Sequence, residues 1–514
     1  MRTHSPGSQR LLLVFCLAIG CLVLGCYADN PDSSDDDSLT CYADWDNDGY
    51  GSPFLTQKAS SACPLGWVTN DDDCYGGGYT THPGMRDVPD DGFDQDCDGS
   101  DSLASDAIAV FVSPNGDDGN PGTMAAPKRT IGAGAELAET KGKWVLIAEG
   151  EYYESVTLYS AGLVGGYEAG TWQRDPGKRT TTIQAVEETA VTILAAEEEP
   201  VYLTGLSVIG GDGDDHSHGV VIEAGRAVIR DCRISGGSSQ FLASGVTIRA
   251  NAYADLIGDE LSGGDLTEYS YGLFIEEQGD AVIMSTTAAG GLGAVQSIGI
   301  YTLASCVLSV ARAYGGGSFS NQTYGLWARA DVKAINSILR SGEGQAHSAA
   351  VFLRDSQGPV LANNLLIQSG ASQFGAGLFL EDGAAAAANN IFQNEPGTGK
   401  TSTGVALRNS SVILSHNDFF GAAAATYLET SQETVTDVAE LNQCQWTGCA
   451  AADGNIAADP LFAEQDEYHL SAFSPCRDAG TAFAPAGGWA VWDFEDDERP
   501  YSIAGDIGRD EFVP

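Results

Sequence analysis

Basic residues are scarce in this chain. Its 514 residues include 25 Lys plus Arg against 71 Asp plus Glu, a formal charge of −46 at pH 7. A surface this acidic repels nucleic acid and anionic lipid, so neither is expected as a partner held by charge. The same charge suits bound cations such as calcium, a salty medium or simple solubility.

Long apolar runs are missing beyond the N-terminus, which argues against a membrane-spanning helix elsewhere in the chain. The one such run, Leu11 to Leu24, follows Arg2 and Arg10. A basic segment, a short apolar segment and a small residue at the cut are typical of an export signal. Residues 1–25 are therefore predicted to be a signal peptide.

The end of this signal, VLGC at 23–26, resembles a bacterial lipobox. The resemblance implies cleavage before Cys26, lipidation of its thiol and an outer-membrane lipoprotein of the bacterial cell envelope, at the cell surface or secreted. A cut at Cys21 is a weaker alternative, and an ordinary signal peptide that happens to contain cysteine is another. Residues 26–40 are acidic and Ser-rich, so we predict a disordered tether there.

Paired CxxC motifs are absent from residues 41–101, which disfavours zinc bound by cysteine alone. Export places the chain in an oxidising compartment, where cysteines form disulfides. The four cysteines of this stretch allow three pairings, and the sequence leaves them open. They are Cys41, Cys63, Cys74 and Cys97.

Two loops of the same stretch, DWDNDGYG and DGFDQDCDG, carry carboxylates at alternate positions. Such spacing directs oxygens at a common centre, as in the first half of a calcium loop. Neither loop has the closing Glu of an EF-hand, so NDDD at 70–73 is expected to complete the coordination. The predicted calcium ligands are Asp44, Asp46, Asp48, Asp71, Asp73, Asp94, Asp96 and Asp98.

These motifs resemble the acidic metal-binding repeat of secreted bacterial proteins, over about 60 residues. The resemblance implies a bound metal, and one branch of that family is described as copper-binding. His82 is the only soft ligand here, so calcium fits better than copper. The chain departs from the repeat at Pro89, where cysteine is usual. The alternative is a solvated acidic spacer stapled by disulfides.

One phrase recurs through residues 201–425. SYGLFIEE at 270–277 returns as SIGIYTLA, TYGLWARA, SAAVFLRD and GAGLFLED, at steps of 25 to 27 residues. Such a period indicates a solenoid. Helical periodicity and the leucine-rich-repeat signature are both missing, and alternating apolar positions indicate strands with one buried face. The marker position of the phrase is Gly219, Gly245, Gly272, Gly299, Gly325, Ala350, Gly377 and Gly404.

We therefore predict an all-β fold, a right-handed parallel β-helix with coils of about 26 residues. A ladder of stacked amides is expected at one bend, from Asn336, Asn364, Asn389 and Asn417. The expected domains are the metal-binding module 41–101, the cap and first coils 102–200, the regular coils 201–425, and a loop and tail 426–514 that pack on the β-helix.

Residues 110–514 resemble the secreted β-helix proteins of the pectate-lyase-like superfamily. The resemblance rests on VFVSPNGDDGNPGTMAAPKRTIGAGAELA near the start and on SPCRDAG and DIGRDEF in the tail. It implies the fold, with a short N-terminal capping helix before the first coils, and does not choose among lyase, hydrolase and adhesin. Cys444 and Cys449 are expected to close a small loop, and Cys232 and Cys306 to remain buried thiols.

The residue two places after the marker should face outward, and it is aromatic in five successive coils: Phe274, Tyr301, Trp327, Phe352 and Phe379. One interpretation is a sugar-binding face, with Arg329 and Arg354 beside it. The alternative is a stabilising ladder of stacked side chains, or a row covered by the tail or by the loop 426–458.

The function most consistent with the sequence is binding or adhesion by a lipid-anchored surface protein, with a polysaccharide as the expected partner. A calcium-dependent polysaccharide lyase is the rival. The nearest candidate for its chemistry is GDGDDHSH at 211–218, beside Arg249. Paired catalytic carboxylates are not recognisable on the strands, so no catalytic residue is assigned and a non-enzyme is expected.

Overall fold

The chain forms two compact units, residues 1–104 and 105–514. The computed structural model describes residues 39–44, 49–64, 67–74, 81–196, 199–265, 267–292, 295–317, 320–369, 373–395, 402–421, 424–428, 433–463, 468–481 and 505–510. The predicted signal peptide, Cys26 and most of the tether lie outside these residues, as do Asp46 and Asp48. Within them, no helix has the length and apolarity to span a bilayer.

The first unit is held together mainly by disulfides. Its strands Leu39–Ala43, Ser52–Ala59 and Trp67–Val68 form a small antiparallel sheet. Disulfides join Cys41 to Cys63 and Cys74 to Cys97, one of the three pairings that the sequence allowed. Few apolar side chains are buried in the described part of this unit, so covalent crosslinks supply much of its stability.

The second unit is a parallel β-solenoid of three sheets, as predicted. The coil that starts at Tyr269 is representative. Tyr269–Ile275 lies in sheet I, Asp280–Met284 in sheet II and Thr287–Ala289 in sheet III, before the chain re-enters sheet I at Gln296–Thr302. Residues in register in neighbouring coils, such as Leu273 and Ile300, are 25 to 27 positions apart.

Sheet I contains the longest strands, and they are parallel except for the last. They are Val156–Leu158, Thr189–Leu194, the first half of His216–Arg230, Leu242–Ile248, Tyr269–Ile275, Gln296–Thr302, Gln322–Ala328, His347–Arg354, Phe374–Glu381, Ser402–Arg408, Ala424–Leu428 and the antiparallel Glu433–Val435.

Sheets II and III complete each coil. Sheet II contains Ala109–Val112, Trp144–Ala148, Leu163–Tyr167, Val201–Thr204, the second half of His216–Arg230, Ala252–Ile257, Asp280–Met284, Cys306–Ser309, Val332–Ile335, Val360–Ala362, Ala384–Ala388, Ser411–Ser415 and Cys449–Asp453. Sheet III contains Gly150–Tyr153, Thr181–Gln184, Ser207–Ile209, Arg233–Ser235, Glu260–Ser262, Thr287–Ala289, Arg312–Tyr314, Ile338–Arg340, Leu365–Gln368, Ile391–Asn394 and Asp418–Phe420.

The interior is one continuous apolar core along the solenoid. Leu273 and Ile275 are fully buried, and their counterparts in neighbouring coils stack on them. Each such side chain contributes about 1.5–3 kcal/mol through burial. The marker glycine lies where the coil is narrow: a Cβ on Gly272 would come within 2.6 Å of the backbone nitrogen of Ala289 in sheet III. This close approach explains why the marker is glycine in all but one coil.

The predicted amide ladder exists, but the sequence combined two neighbouring columns. Asn336 and Asn389 have positive φ and make the turn between sheets II and III. The ladder is the next column, where Asn364, Asn390 and Asn417 each accept a hydrogen bond from the backbone N–H one coil earlier, at 2.9–3.0 Å. The two columns were confused because adjacent positions both favour asparagine.

An α-helix, Ile131–Lys141, caps the N-terminal end of the core, as predicted. Thr130 Oγ1 accepts a hydrogen bond from the backbone N–H of Ala133. The carboxylate of Glu154 accepts hydrogen bonds from the N–H groups of Ile131 and Gly132, which favours the helix N-terminus. Ile131 is fully buried and closes the core against solvent.

At the C-terminal end a short helix, Val438–Leu441, precedes a disulfide between Cys444 and Cys449, which confirms the predicted small loop. Cys232 and Cys306 are buried free thiols, also as predicted. Tail residues Leu470, Cys476 and Ile507 pack on the outer side of sheet III. In the described part of the chain, the tail therefore covers sheet III, and the expectation that it covers the aromatic row of sheet I is not met there.

Candidate functional site

In each coil, more than one residue of sheet I points outward from the main core. Around the marker glycine the strand bends, and residues one place before and two places after it both join an apolar cluster separate from the main core. The members of this outer cluster include Tyr271, Phe274, Ile298, Tyr301, Tyr324, Trp327, Phe352, Phe374 and Phe379. The outward position two places after the marker was identified from the sequence. Tyr271 and Tyr324, one place before the marker, were missed, although both stand inside the repeated phrase.

The five aromatic residues two places after the marker form a stacked ladder. Successive ring centroids are 5.3, 5.0, 5.2 and 5.0 Å apart from Phe274 to Phe379. Phe352 and Phe379 are only 6% and 5% exposed, whereas the other three are half-buried. A sugar stacks on the face of an aromatic ring, and here each inner ring contacts another ring on both faces. The geometry therefore favours the structural ladder over a sugar platform.

The charged residues four places after the marker form a second ladder. Arg329 lies 3.0 Å from Asp355, and Arg354 lies 3.5 Å from Glu381. Arg408 pairs with Glu381 at 2.6 Å and lies over the ring of Phe379. The two arginines predicted to hold a ligand are thus paired within the protein.

An open cleft of about 170 Å³ lies on the same outer face, at the N-terminal end of the aromatic ladder. Here the ladder position holds Thr192, Val221 and Thr247, so no ring fills the surface before Phe274. The cleft is lined by Glu188, Thr189, Thr192, His216, His218, Val221, Glu223 and Arg249. The sequence pointed to His216, His218 and Arg249 through GDGDDHSH. Comparison of the same position in every coil would have added Thr192 and Glu223.

His218 is fixed at the base of the cleft, one place before the marker, and is 4% exposed. Its Nδ1 lies 2.7 Å from Ser244 Oγ and 3.2 Å from Thr247 Oγ1. Desolvation, followed by the nearby charges of Arg249 and His216, lowers the pKa of His218 to about 3, so the ring is neutral at physiological pH. In the described part of the chain Nε2 has no hydrogen-bond partner, which leaves this nitrogen for a ligand.

Arg249 forms one wall of the cleft and is shared between two carboxylates. It pairs closely with Glu276 of the next coil and lies 3.6 Å from Glu223 of the preceding coil. Glu188 immediately precedes the strand Thr189–Leu194 and is exposed. It has no ion pair in the part of the chain that the structure describes. The cleft thus combines hydrogen-bond donors and acceptors of several kinds with an excess of negative charge.

The acidic loop at 211–218 does not gather its carboxylates. Asp212, Asp214 and Asp215 are exposed, and no metal-binding group in the described residues includes them. The calcium-dependent lyase chemistry considered from the sequence therefore has no preformed cation site in the described part of sheet I.

The acidic module brings together one of its two predicted loops. Ligand oxygens of Asp94, Asp96 and Asp98 lie within 4.8 Å of one another. Burial raises the pKa of Asp96 above its usual value. Burial, opposed by a hydrogen bond from the backbone N–H of Gly92 and reinforced by neighbouring carboxylates, raises the pKa of Asp101 to about 6. Closely spaced carboxylates of this kind suit a divalent cation.

Three further predicted ligands are described, and none belongs to this group of oxygens. Asp44 and Asp73 are buried, and Asp44 Oδ1 has no hydrogen-bond partner among the described residues. Asp71 is exposed. Asp46 and Asp48 lie outside the residues that the structure describes. Whether these five groups share a cation stays a prediction.

No protein-family model and no curated protein matches the chain. Among solved structures, XylC in complex with xylose is 10% identical, covers 79% of this chain and 98% of its own, and has a TM-score of 0.38. The Dettilon tailspike protein is 11% identical over 68% of this chain and 69% of its own, with a TM-score of 0.32. A rhamnogalacturonan lyase is 12% identical over 68% and 87%, with a TM-score of 0.23. Likenesses of this size say nothing about ligand or reaction.

Proposed function

We propose that this protein binds a polysaccharide at the bacterial surface, and that the cleft on sheet I is the contact. The observation that carries the proposal is the juxtaposition of a cleft lined by two histidines, two glutamates and an arginine with the first ring of the aromatic ladder. Sugar hydroxyls are recognised by such mixed donors and acceptors, while an adjacent ring contacts the apolar part of the sugar.

The aromatic ladder has a supporting role in this proposal. Phe274 stacks on Tyr301 on one side, and the residue in register on its other side is Thr247, which has no ring. Phe379, the other end of the ladder, is followed in register by Ala406, but it is only 5% exposed and lies under Arg408. Phe274 is therefore the end ring of the ladder that is only half-buried. The four rings behind it fix its position, as rigid packing pre-organises a binding surface.

The proposal is tested by a substitution that blocks the cleft with a large side chain. Thr192→Trp places a large side chain on the half-buried Thr192 and should abolish retention on neutral polysaccharides in affinity electrophoresis. The matched control is Thr182→Trp, a half-buried threonine on the outer face of sheet III. Equal binding by both variants and by the parent chain would show that the cleft is not the contact.

The rival function, a polysaccharide lyase, is tested with the same proteins. Uronate polymers are incubated with and without calcium, and new unsaturated ends are measured. Because Arg329 and Arg354 are held in ion pairs, we expect no product. If the parent protein forms product and Thr192→Trp does not, the cleft is the active site of a lyase and the proposed binding function is wrong.

The export signal and the VLGC sequence support attachment through Cys26 to the outer membrane. Cys26→Ser should release the protein from membranes, since the lipid would be its tether, and cell fractionation measures this. A Cys26→Ser protein that stays with membranes after a salt wash would contradict the lipobox interpretation.

We also propose calcium as the ion of the acidic module. The grouped oxygens of Asp94, Asp96 and Asp98 support it. Calcium at a hundredfold excess over Kd should stabilise the module by about 2.7 kcal/mol. Calorimetric titration of Cys26→Ser protein, with Asp96→Asn as the comparison, measures binding. Absence of heat at millimolar calcium would leave only the acidic spacer.

A further inference from the structure

The charge of the cleft restricts which polysaccharide it can accept. Its lining holds two carboxylates, Glu188 and Glu223, against one guanidinium, Arg249. That guanidinium is also engaged by Glu276, outside the lining. The buried ring of His218 adds no positive charge at the base, because desolvation keeps it neutral. The net field in the cleft is therefore negative.

The two carboxylates remain accessible to a ligand. The side chain of Glu223 is 42% exposed, and its distance of 3.6 Å from Arg249 makes a weak, solvent-screened pair. Glu188 is exposed, and in the described part of the chain no cation pairs with it. The same cleft is lined by the buried ring of His218, whose Nδ1 is hydrogen-bonded and whose Nε2 is not engaged by any described residue. The cleft is therefore a preformed binding site and not a solvated acidic loop.

We propose that the cleft selects an amino sugar, a glycan unit with a free, protonated amine. The amine would pair with one of the two lining carboxylates, Glu188 or Glu223, and Nε2 of His218 would meet a neighbouring hydroxyl. Uronate polymers are disfavoured by the same carboxylates and by the charge of −46 on the whole chain. The proposal rests on the proposed glycan binding and adds the substrate class to it.

The test compares oligosaccharides of equal length on the Cys26→Ser protein at about pH 6, where glutamates are ionised. Glucosamine, N-acetylglucosamine, glucose and galacturonic acid oligomers are titrated by calorimetry. We expect the glucosamine oligomer to bind more tightly than its acetylated form and to lose that advantage as salt increases. The galacturonic acid oligomer should bind weakest.

Variants then assign the preference to the two carboxylates. Glu188→Gln and Glu223→Gln should each reduce binding of the glucosamine oligomer about fivefold, the upper end for an accessible ion pair. Binding of the acetylated oligomer should fall less than binding of the glucosamine oligomer, because it has no charged amine to lose its partner. Glu260→Gln on sheet III, another exposed glutamate, is the matched control and should bind like the parent.

Selectivity for an amino sugar and glycan binding itself are contradicted by different results. Equal binding of the amine and acetyl forms, or a preference untouched by both glutamine variants, would overturn the amino-sugar assignment and leave glycan binding in place. Failure of every oligomer and polymer to bind would overturn the proposed function itself.

Discussion

The first and later coils of sheet I share one backbone but have different outer surfaces. In the coils that contain Thr192, Val221 and Thr247, the ladder position is small and a cleft remains open above it. From Phe274 onward the same position is aromatic, and the rings pack until Phe352 and Phe379 are buried. Because a solenoid repeats its backbone geometry, a few side chains in one column decide whether its surface forms an open cleft or a packed ladder.

The largest expected effect comes from breaking the ladder. Trp327→Ala removes a ring that packs on Tyr301 and Phe352, and should cost about 3 kcal/mol of unfolding free energy, as truncation of packed aromatics does. Glycan binding at the cleft should weaken far less than in Thr192→Trp, because Trp327 supports Phe274 only through Tyr301. Denaturant unfolding and calorimetric titration of the same variant measure the two quantities. A stable variant that has lost glycan binding would move the binding site to the ladder.

The position four places after the marker gives a matched pair across the two regions. Glu381, in the ladder region, has a side chain only 10% exposed and pairs with Arg354 and Arg408. Its substitution by Gln should cost about 2–3 kcal/mol, because two guanidinium groups lose their partner.

Glu223 is the equivalent residue of the cleft region and is far more exposed. Glu223→Gln should change stability by about 0.5 kcal/mol or less. Equal stability losses in the two variants, measured by chemical unfolding, would show that the regions do not differ in packing.

The last of these predictions is a pH dependence specific to the cleft. The pKa of His218 is about 3 in the folded protein, below the ordinary histidine value of 6.5. As pH falls below 6.5 the unfolded chain takes up a proton that the folded chain does not, so stability is lost in this window. The loss should reach about 2 kcal/mol at pH 5.

His218→Gln keeps a polar side chain next to Ser244 and Thr247 but cannot titrate. Its unfolding free energy should therefore fall less than that of the parent between pH 7 and pH 5. An NMR titration that places the pKa of His218 near 6.5 would contradict the neutral, desolvated ring.

Much of the fold could be predicted from the sequence because a solenoid encodes each coil locally. The period of the repeated phrase fixed the coil length, and alternation around Leu273 and Ile275 identified the buried face. The capping helix was expected only because its segment resembles the start of other exported β-helix proteins. Where adjacent positions had similar composition, as at Asn363 and Asn364, periodicity could not choose between a turn residue and a ladder residue.

The site was less predictable, since it depends on what neighbouring coils place side by side. The sequence showed that aromatic residues recur, but only the 5.0–5.3 Å ring spacings show that their faces are used against each other. Likewise, GDGDDHSH drew attention to His218, but its contacts with Ser244 and Thr247 come from the next coil.

The sequence by itself determined the solenoid, its period and the inward face of its strands, because hydrophobic alternation is read one coil at a time. Only the tertiary structure decided where the surface is open. A cleft exists where Thr192 and Val221 leave space beneath Glu188 and Arg249, and such space arises from side-chain volumes in several coils together. Disulfide pairing had the same origin, because any two of four cysteines could pair until the chain path brought their Cα atoms to 5.5 and 5.7 Å.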